Sequence, residues 1–246
     1  MKIVVIGGTG QVGTRLVAHL GEAGHEAVAA SPSTGVDTLT GEGLDAALAG
    51  AQVVVDVTGS PTWEDDAILR FFRDGSRHLL AAEARAGVGH HVALSIVGID
   101  RAAAPAGYFR AKLAQEAVVR DGTIPYTIAR ATQFFEFLGQ LAEISGYVLP
   151  PAPMQPIAVD DVARLLAAIA VDEPANGIVE LAGPERAPLD ALARRVVGDA
   201  HEIATDPDAT YAGTPWTDDL LVPGDGARIA PTTLEQWLRE PAHDRA

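Results

Sequence analysis

Apolar residues crowd the first six positions, Met1-Lys2-Ile3-Val4-Val5-Ile6, and most of them are β-branched, which predicts a short strand. The run breaks into Gly7-Gly8-Thr9-Gly10-Gln11-Val12-Gly13, and Val12, Leu16, Val17 and Leu20 then recur at helical spacing. Gly24 predicts the stop of that helix, and residues 26–30 a second strand. A short helix over 43–48 precedes Gln52-Val53-Val54-Val55-Asp56-Val57, a continuous apolar strand of the kind covered on both faces. Two helical pieces follow, 65–73 and 76–86, broken near Asp74-Gly75, with Ser76 as N-cap and Gly87 as stop. Further strands are expected at 91–96, 126–130 and 177–181, and helices from 108 to about 120, at 160–171, 189–197 and 233–238. Strand alternating with helix predicts an α/β chain with a doubly wound parallel sheet.

The glycine segment changes the picture from architecture to chemistry. A strand, a glycine turn and a helix open a dinucleotide-binding unit: glycine permits the tight turn and the close approach of backbone to a pyrophosphate. The helix N-terminus then offers unpaired N–H groups and a positive dipole to that anion. The spacing, Gly7, Gly10 and Gly13, is G-x-x-G-x-x-G rather than the commoner G-x-G-x-x-G. Gly7, Thr9, Gly10, Gln11, Val12 and Gly13 are therefore expected to hold the cofactor. A carboxylate at the end of the second strand would bind the ribose hydroxyl of NAD, but this chain has Ser31-Pro32-Ser33-Thr34-Gly35 there, with Asp37 beyond the turn. Ser31 and Ser33, with Arg15 on the first helix, suit the 2′-phosphate of NADP; NAD is the alternative. Thr58, Gly59 and Ser60 after the third strand are expected to border the same cofactor.

Bulk properties narrow the function classes. The 246 residues are 48% hydrophobic with a mean hydropathy of +0.14, enough for a sizeable core. No apolar run approaches the roughly 18 residues of a membrane span, and the first apolar run is too short for a signal peptide, so a cytoplasmic protein is expected. Zero cysteines exclude thiolate chemistry, and a net charge of −15 argues against general nucleic-acid binding. His90 and His91 have no suitably spaced partner for a metal site, and none is expected.

The reactive candidates lie in the middle of the chain. Ser95 ends the fourth strand, and Tyr108-Phe109-Arg110-Ala111-Lys112 begins a helix thirteen residues later. Residues four apart share a helix face, so Tyr108 and Lys112 point the same way. A nearby ammonium would stabilise the phenolate and move its pKa toward the working range, and a serine hydroxyl could hold the substrate oxygen. The chain has only two lysines, Lys2 and Lys112, against sixteen arginines, so a lysine one turn after a tyrosine stands out. Phe134, Phe135 and Phe137, after the fifth strand, would suit an apolar pocket wall.

Together the glycine turn, Ser95 and Tyr108-x-x-x-Lys112 resemble the short-chain dehydrogenase/reductase superfamily, and the glycine spacing resembles its atypical, NmrA-like branch. Ile124-Pro125-Tyr126-Thr127-Ile128-Ala129-Arg130 is similar to the branch's next core strand, and Val159-Asp160-Asp161-Val162-Ala163 to its later helix start. The resemblance covers residues 1 to about 185. It implies a Rossmann domain over 1–185 and a small C-terminal substrate-binding lobe over 186–246, with 134–156 contributing. It implies Tyr108 as acid/base, Lys112 as pKa modulator and ribose ligand, and Ser95 as substrate-oxygen ligand. No match to the superfamily's usual site asparagine is evident. The implied activity is hydride transfer between NAD(P)(H) and a carbonyl or alcohol carbon of a small molecule. The alternatives are a non-catalytic redox sensor, since many NmrA-like proteins lack the Tyr/Lys pair, and an epimerase or dehydratase with bound cofactor.

Overall fold

The computed structural model describes residues 1–102, 107–211, 214–215 and 220–241; Trp216, expected as an apolar anchor, and the final residues, expected to fray, lie outside the described ones. Seven strands form the central sheet. Five of them are β1 (Lys2–Ile6), β2 (Glu26–Ala30), β3 (Val53–Asp56), β4 (His90–Ile96) and β5 (Tyr126–Ala131); Gly177–Ala182 and Arg228–Ile229 complete it. Their spatial order is Arg228–Ile229, Gly177–Ala182, β5, β4, β3, β1, β2. The sheet is parallel, with Ile3 opposite Val53 on one side and Ala27 on the other. All of β3 and all of β1 after Lys2 are buried, as expected for strands with helices on both faces.

Among the described residues, eight α-helices accompany the strands: α1 (Gln11–Glu22), α2 (Leu44–Leu48), α3 (Asp65–Ala86), α4 (Gly107–Arg120), α5 (Phe135–Ile144), α6 (Val159–Val171), α7 (Leu189–Val197) and α8 (Leu234–Arg239). The expected break at Asp74-Gly75 is not there: α3 runs unbroken for 22 residues. Gly75 serves packing instead, because a Cβ there would lie 3.2 Å from Thr38 Oγ1. Asp74 is held by Arg73 and Arg77 on the same helix, and Gly87 at φ +74° ends it.

Two compact units are built from interleaved segments. The first comprises Met1–Ser95, Gly107–Arg130 and Val162–Val179, the second Ile96–Ala106, Ala131–Asp161 and Glu180–Ala246. In the first, Val4, Ile6, Leu48, Val54 and Leu79 form one apolar cluster, and Ile68, Phe72 and Ala111 another, against which Tyr108 packs. In the second, Phe135 packs its ring 5.7 Å from Trp237, whose indole N–H donates to Glu136 at 3.2 Å.

The two histidines at the start of β4 are structural. His90 Nε2 lies 2.9 Å from Thr127 Oγ1, and His91 Nδ1 lies 2.8 Å from Glu83 Oε1, with both side chains of the latter pair fully buried. Spacing along the chain offers them no partner, because Glu83 reaches His91 only when α3 lies over β4. Burial pulls His90 down to about 4, so it is neutral near pH 7.

Candidate active site

The glycine turn leaves β1 and enters α1 at Gly10, the N-cap. Gly7 takes φ +81°, donates its N–H to Ala30 O at 2.8 Å, and faces the start of the loop after β3: a Cβ there would lie 3.0 Å from the Val57 carbonyl. Cβ atoms on Gly8 and Gly13 would come within 2.6 Å of Ala29 Cα and 2.2 Å of Gly7 O. The fold itself therefore demands glycine at these three positions. Gly10 is different. It is exposed, its φ is −80°, and an added Cβ would meet only Gly7 O, at 3.2 Å. That one contact is tight, but the position is otherwise open to solvent, which leaves room for a ligand over the turn. The first turns of α1 and α4 carry no acidic residue, whereas those of α2, α3, α5, α6, α7 and α8 do. Leaving the positive end of α1 uncompensated in a chain of charge −15 fits an anion bound from outside. The residues present fit a dinucleotide pyrophosphate.

These contrasts predict opposite fates for two substitutions. Gly10→Val should leave the unfolding midpoint within a few degrees of the parent while NADPH affinity falls at least tenfold by calorimetric titration. Gly13→Ala should destabilise the fold itself, visible in thermal unfolding without cofactor.

At the end of β2, Ser31 is buried and its Oγ lies 2.8 Å from Ser33 Oγ, while Ser33 is exposed. The Ser31 N–H donates to Thr34 Oγ1 at 2.9 Å, closing a tight turn that ends at Gly35 with φ +82°. Asp37 accepts from the N–H groups of Leu39 and Thr40, so its carboxylate is used in its own loop. Arg15 donates to Gln11 O at 3.0 Å along α1.

The loop after β3 is anchored by Asp56, a buried carboxylate. Its Oδ1 accepts from Thr58 N at 3.0 Å and Thr58 Oγ1 at 2.7 Å; its Oδ2 accepts from Gln115 Nε2 at 2.8 Å. Gln115 Oε1 in turn accepts from Lys112 Nζ, which also donates to Leu94 O at 2.7 Å and sits 4.5 Å above the Phe72 ring. A hydrogen-bonded chain thus joins the loop beneath the glycine turn to Lys112. Ser60 Oγ donates to Thr62 O at 2.9 Å, and Gly59 is exposed with open space around it.

Lys112 is buried, and burial pulls its ammonium down to about 8 against the opposing pull of Asp56 and Glu116. Tyr108 packs edge-on to Phe72, 5.4 Å between ring centroids, and 5.8 Å from Trp63. Burial pushes its phenol up to about 12, and the Asp56 carboxylate acts in the same direction. Spacing alone predicts an ammonium that brings the phenol down. The opposite direction arises because the Tyr108 phenol is desolvated and the Lys112 hydrogen bonds point to Leu94 and Gln115.

Ser95 is buried and donates to Glu116 Oε1 at 2.7 Å; Glu116 is also held by Arg130 through two bonds of 2.8 and 2.7 Å. The single serine proton is thus given to Glu116, and the hydroxyl must rotate before it can donate to a substrate oxygen. Asp56, Gln115, Glu116 and Arg130 were not singled out from the sequence. Gln115 and Glu116 stand three and four residues after Lys112, a spacing that places them near its face of the helix; Asp56 is the one charge in an otherwise apolar strand.

Of the three phenylalanines, Phe135 is a core residue of the second unit, while Phe134, ahead of α5, and Phe137 keep part of their surface. Among the described residues no cluster of three metal-ligating side chains occurs, and no helix is long and apolar enough to cross a membrane.

The parallel sheet, the strand–glycine–helix opening and the exposed Gly10 define an NAD(P)H-binding protein with the fold of the short-chain dehydrogenase/reductase superfamily. The sequence profile described as NAD(P)H-binding matches residues 7–173, and the chain belongs to that family. A relative from Streptomyces griseus subsp. griseus, a (4-alkanoyl-5-oxo-2,5-dihydrofuran-3-yl)methyl phosphate reductase, is 33% identical over 144 residues, covering 54% of this chain and 48% of the relative. Among solved structures, a short-chain dehydrogenase/reductase superfamily protein from Agrobacterium tumefaciens with bound NAD covers 100% of this chain and 94% of its own, at 21% identity and a TM-score of 0.69. The triphenylmethane reductase of Citrobacter sp., complexed with NADP(H), covers 84% and 79%, at 19% identity and a TM-score of 0.62. These two structures share the fold.

Proposed function

We propose that this protein is an NADPH-preferring reductase of a small carbonyl compound. The observation that carries the reading is Lys112: a buried ammonium one turn after Tyr108, linked through Gln115 and Asp56 to the loop that lies against the glycine turn. Burying a cation is costly, and a fold that needed only packing would place an apolar residue there. The Streptomyces relative is itself named a reductase, which agrees with this class of chemistry.

In this reading the exposed face of Gly10 and the N–H groups of Gln11, Val12 and Gly13 take the pyrophosphate, with Thr9, Thr58, Gly59 and Ser60 along its path. The cofactor, when bound, supplies the hydride. Tyr108 supplies the proton from Oη to the carbonyl oxygen. Its raised pKa keeps the phenol protonated near pH 7, which suits a proton donor in reduction and makes it a poor base for the reverse oxidation. The phenolate left behind takes a proton back from solvent before the next turnover. Ser95, after rotating away from Glu116, steadies the substrate oxygen.

The cofactor preference follows from the end of β2. Asp37 is used in its own loop, and the hydroxyls of Ser31 and Ser33, with the Arg15 guanidinium on α1, would receive a 2′-phosphate. NADPH should bind more tightly than NADH in calorimetric titration. Ser33→Asp, at an exposed position that tolerates the change, should weaken NADPH at least tenfold by like-charge repulsion and leave NADH equal or tighter. Tighter NADH binding by the parent would overturn the preference.

A further inference from the structure

We propose that Trp63 is a substrate-stacking residue that selects planar, conjugated carbonyl compounds carrying no negative charge. The inference rests on the reading of Tyr108 as proton donor and adds the class of molecule that meets it.

Trp63 is the most exposed of the large apolar side chains among the described residues, at 75%. A solitary exposed tryptophan needs no explanation, but this one lies beside Tyr108, ring centroids 5.8 Å apart and planes inclined by 43°. Tyr108 meets Phe72 edge-on, and Phe72 carries Lys112 Nζ at 4.5 Å. An aromatic row thus runs from the buried ammonium through the candidate donor to an exposed indole. Its outer member is a largely exposed indole beside the candidate proton donor.

The loop that carries the indole is tied down. The loop begins against Gly7, where Val57 and Thr58 lie within 3.1 Å of a Cβ built on that glycine, and Asp56 binds both the N–H and the hydroxyl of Thr58. On either side of Trp63, Ser60 Oγ donates to Thr62 O, and the Glu64 N–H donates to Thr62 Oγ1 at 3.2 Å. One loop therefore spans from the phosphate end of the cofactor site to the proton donor. An aromatic side chain on an anchored loop costs less entropy on binding than one on a free loop.

Charge narrows the partner. Glu64, Asp65 and Asp66 follow Trp63 directly and are exposed, with Arg110 4.0 Å from Asp66 the opposing charge. The surroundings of the indole repel anions and favour neutral or cationic rings, and a cation over the indole gains further from its π-face. Saturated, non-planar carbonyls would leave that face unmatched.

The test compares three aldehydes with NADPH: trans-cinnamaldehyde, planar and neutral; 4-carboxycinnamaldehyde, planar and anionic; and cyclohexanecarboxaldehyde, saturated. In the parent, kcat/KM should favour the first over both others. Trp63→Ala should lower kcat/KM for trans-cinnamaldehyde about three- to tenfold and leave cyclohexanecarboxaldehyde unchanged, with Trp63→Phe restoring most of the loss. Glu64→Gln combined with Asp65→Asn should raise kcat/KM for the anionic aldehyde alone. Equilibrium dialysis of trans-cinnamaldehyde with parent and Trp63→Ala in the presence of NADP⁺ gives the same comparison without turnover. Equal effects on all three aldehydes, or none, would overturn the proposal. A weakened NADPH affinity with the aldehyde ratios unmoved would assign the indole to the cofactor and equally overturn it. The two readings fail separately: full turnover in Tyr108→Phe removes the proton donor, whereas unchanged aldehyde ratios in Trp63→Ala remove only the stacking role.

Discussion

Tyr108→Phe should lower carbonyl reduction by about 10²–10⁴-fold while NADPH affinity, measured by calorimetry, stays within about twofold. The substitution keeps the ring that packs between Phe72 and Trp63 and removes only the hydroxyl. Steady-state turnover with any accepted carbonyl compound reads the first quantity. The loss should appear in kcat as well as in kcat/KM, because the proton is needed only as charge develops on the oxygen. A non-catalytic sensor would bind NADPH as before and show no turnover to lose. Full activity in the variant, with a substrate in hand, would remove Tyr108 from the mechanism.

Lys112→Met should abolish most of the activity, by about 10²-fold or more, without lowering the thermal unfolding midpoint. A buried ammonium hydrogen-bonded to Leu94 O and Gln115 but given no direct carboxylate partner is a weak contributor to stability, and methionine fills a similar volume. A large fall in midpoint with undiminished activity in the folded fraction would mark Lys112 as structural. The pH dependence has a definite sign. Lys112 titrates in the folded protein near about 8 against an ordinary 10.5. Turnover that needs the ammonium should therefore decline as pH rises through about 8. Between about 8 and 10.5 the unfolded chain holds the extra proton, so the lysine's own contribution makes the fold more stable as pH rises. Comparing denaturant midpoints of the parent and Lys112→Met across that window isolates the contribution, which should be missing in the variant.

Much of the fold was legible because its signals are local. The apolar runs of β1 and β3 and the glycine spacing depend on neighbours a few residues away, and so does the stop at Gly87. The same local logic misread Gly75, where glycine answers to Thr38, 37 positions away in the chain, and not to a helix break. It also left His91 without a partner, since Glu83 comes to it only through the packing of α3 on β4.

The candidate site divides along the same line. The residue types were decided by the sequence: a glycine turn at residue 7, a tyrosine and one of two lysines four residues apart, a serine at a strand end. Periodicity alone puts Tyr108 and Lys112 on one helix face. Their protonation was decided by tertiary structure, because desolvation depends on what the fold lays over each group. The ammonium that adjacency would set to acidify the phenol is itself buried and turned toward Leu94 O and Gln115, and the phenol is pushed up to about 12. Only the fold brings Asp56 from the end of β3 to Gln115 on α4, sets Glu116 and Arg130 around Ser95, and leaves Trp63 exposed beside Tyr108. Spacing along a chain fixes which side chains share a face, but dielectric and hydrogen-bond partners belong to the packed molecule.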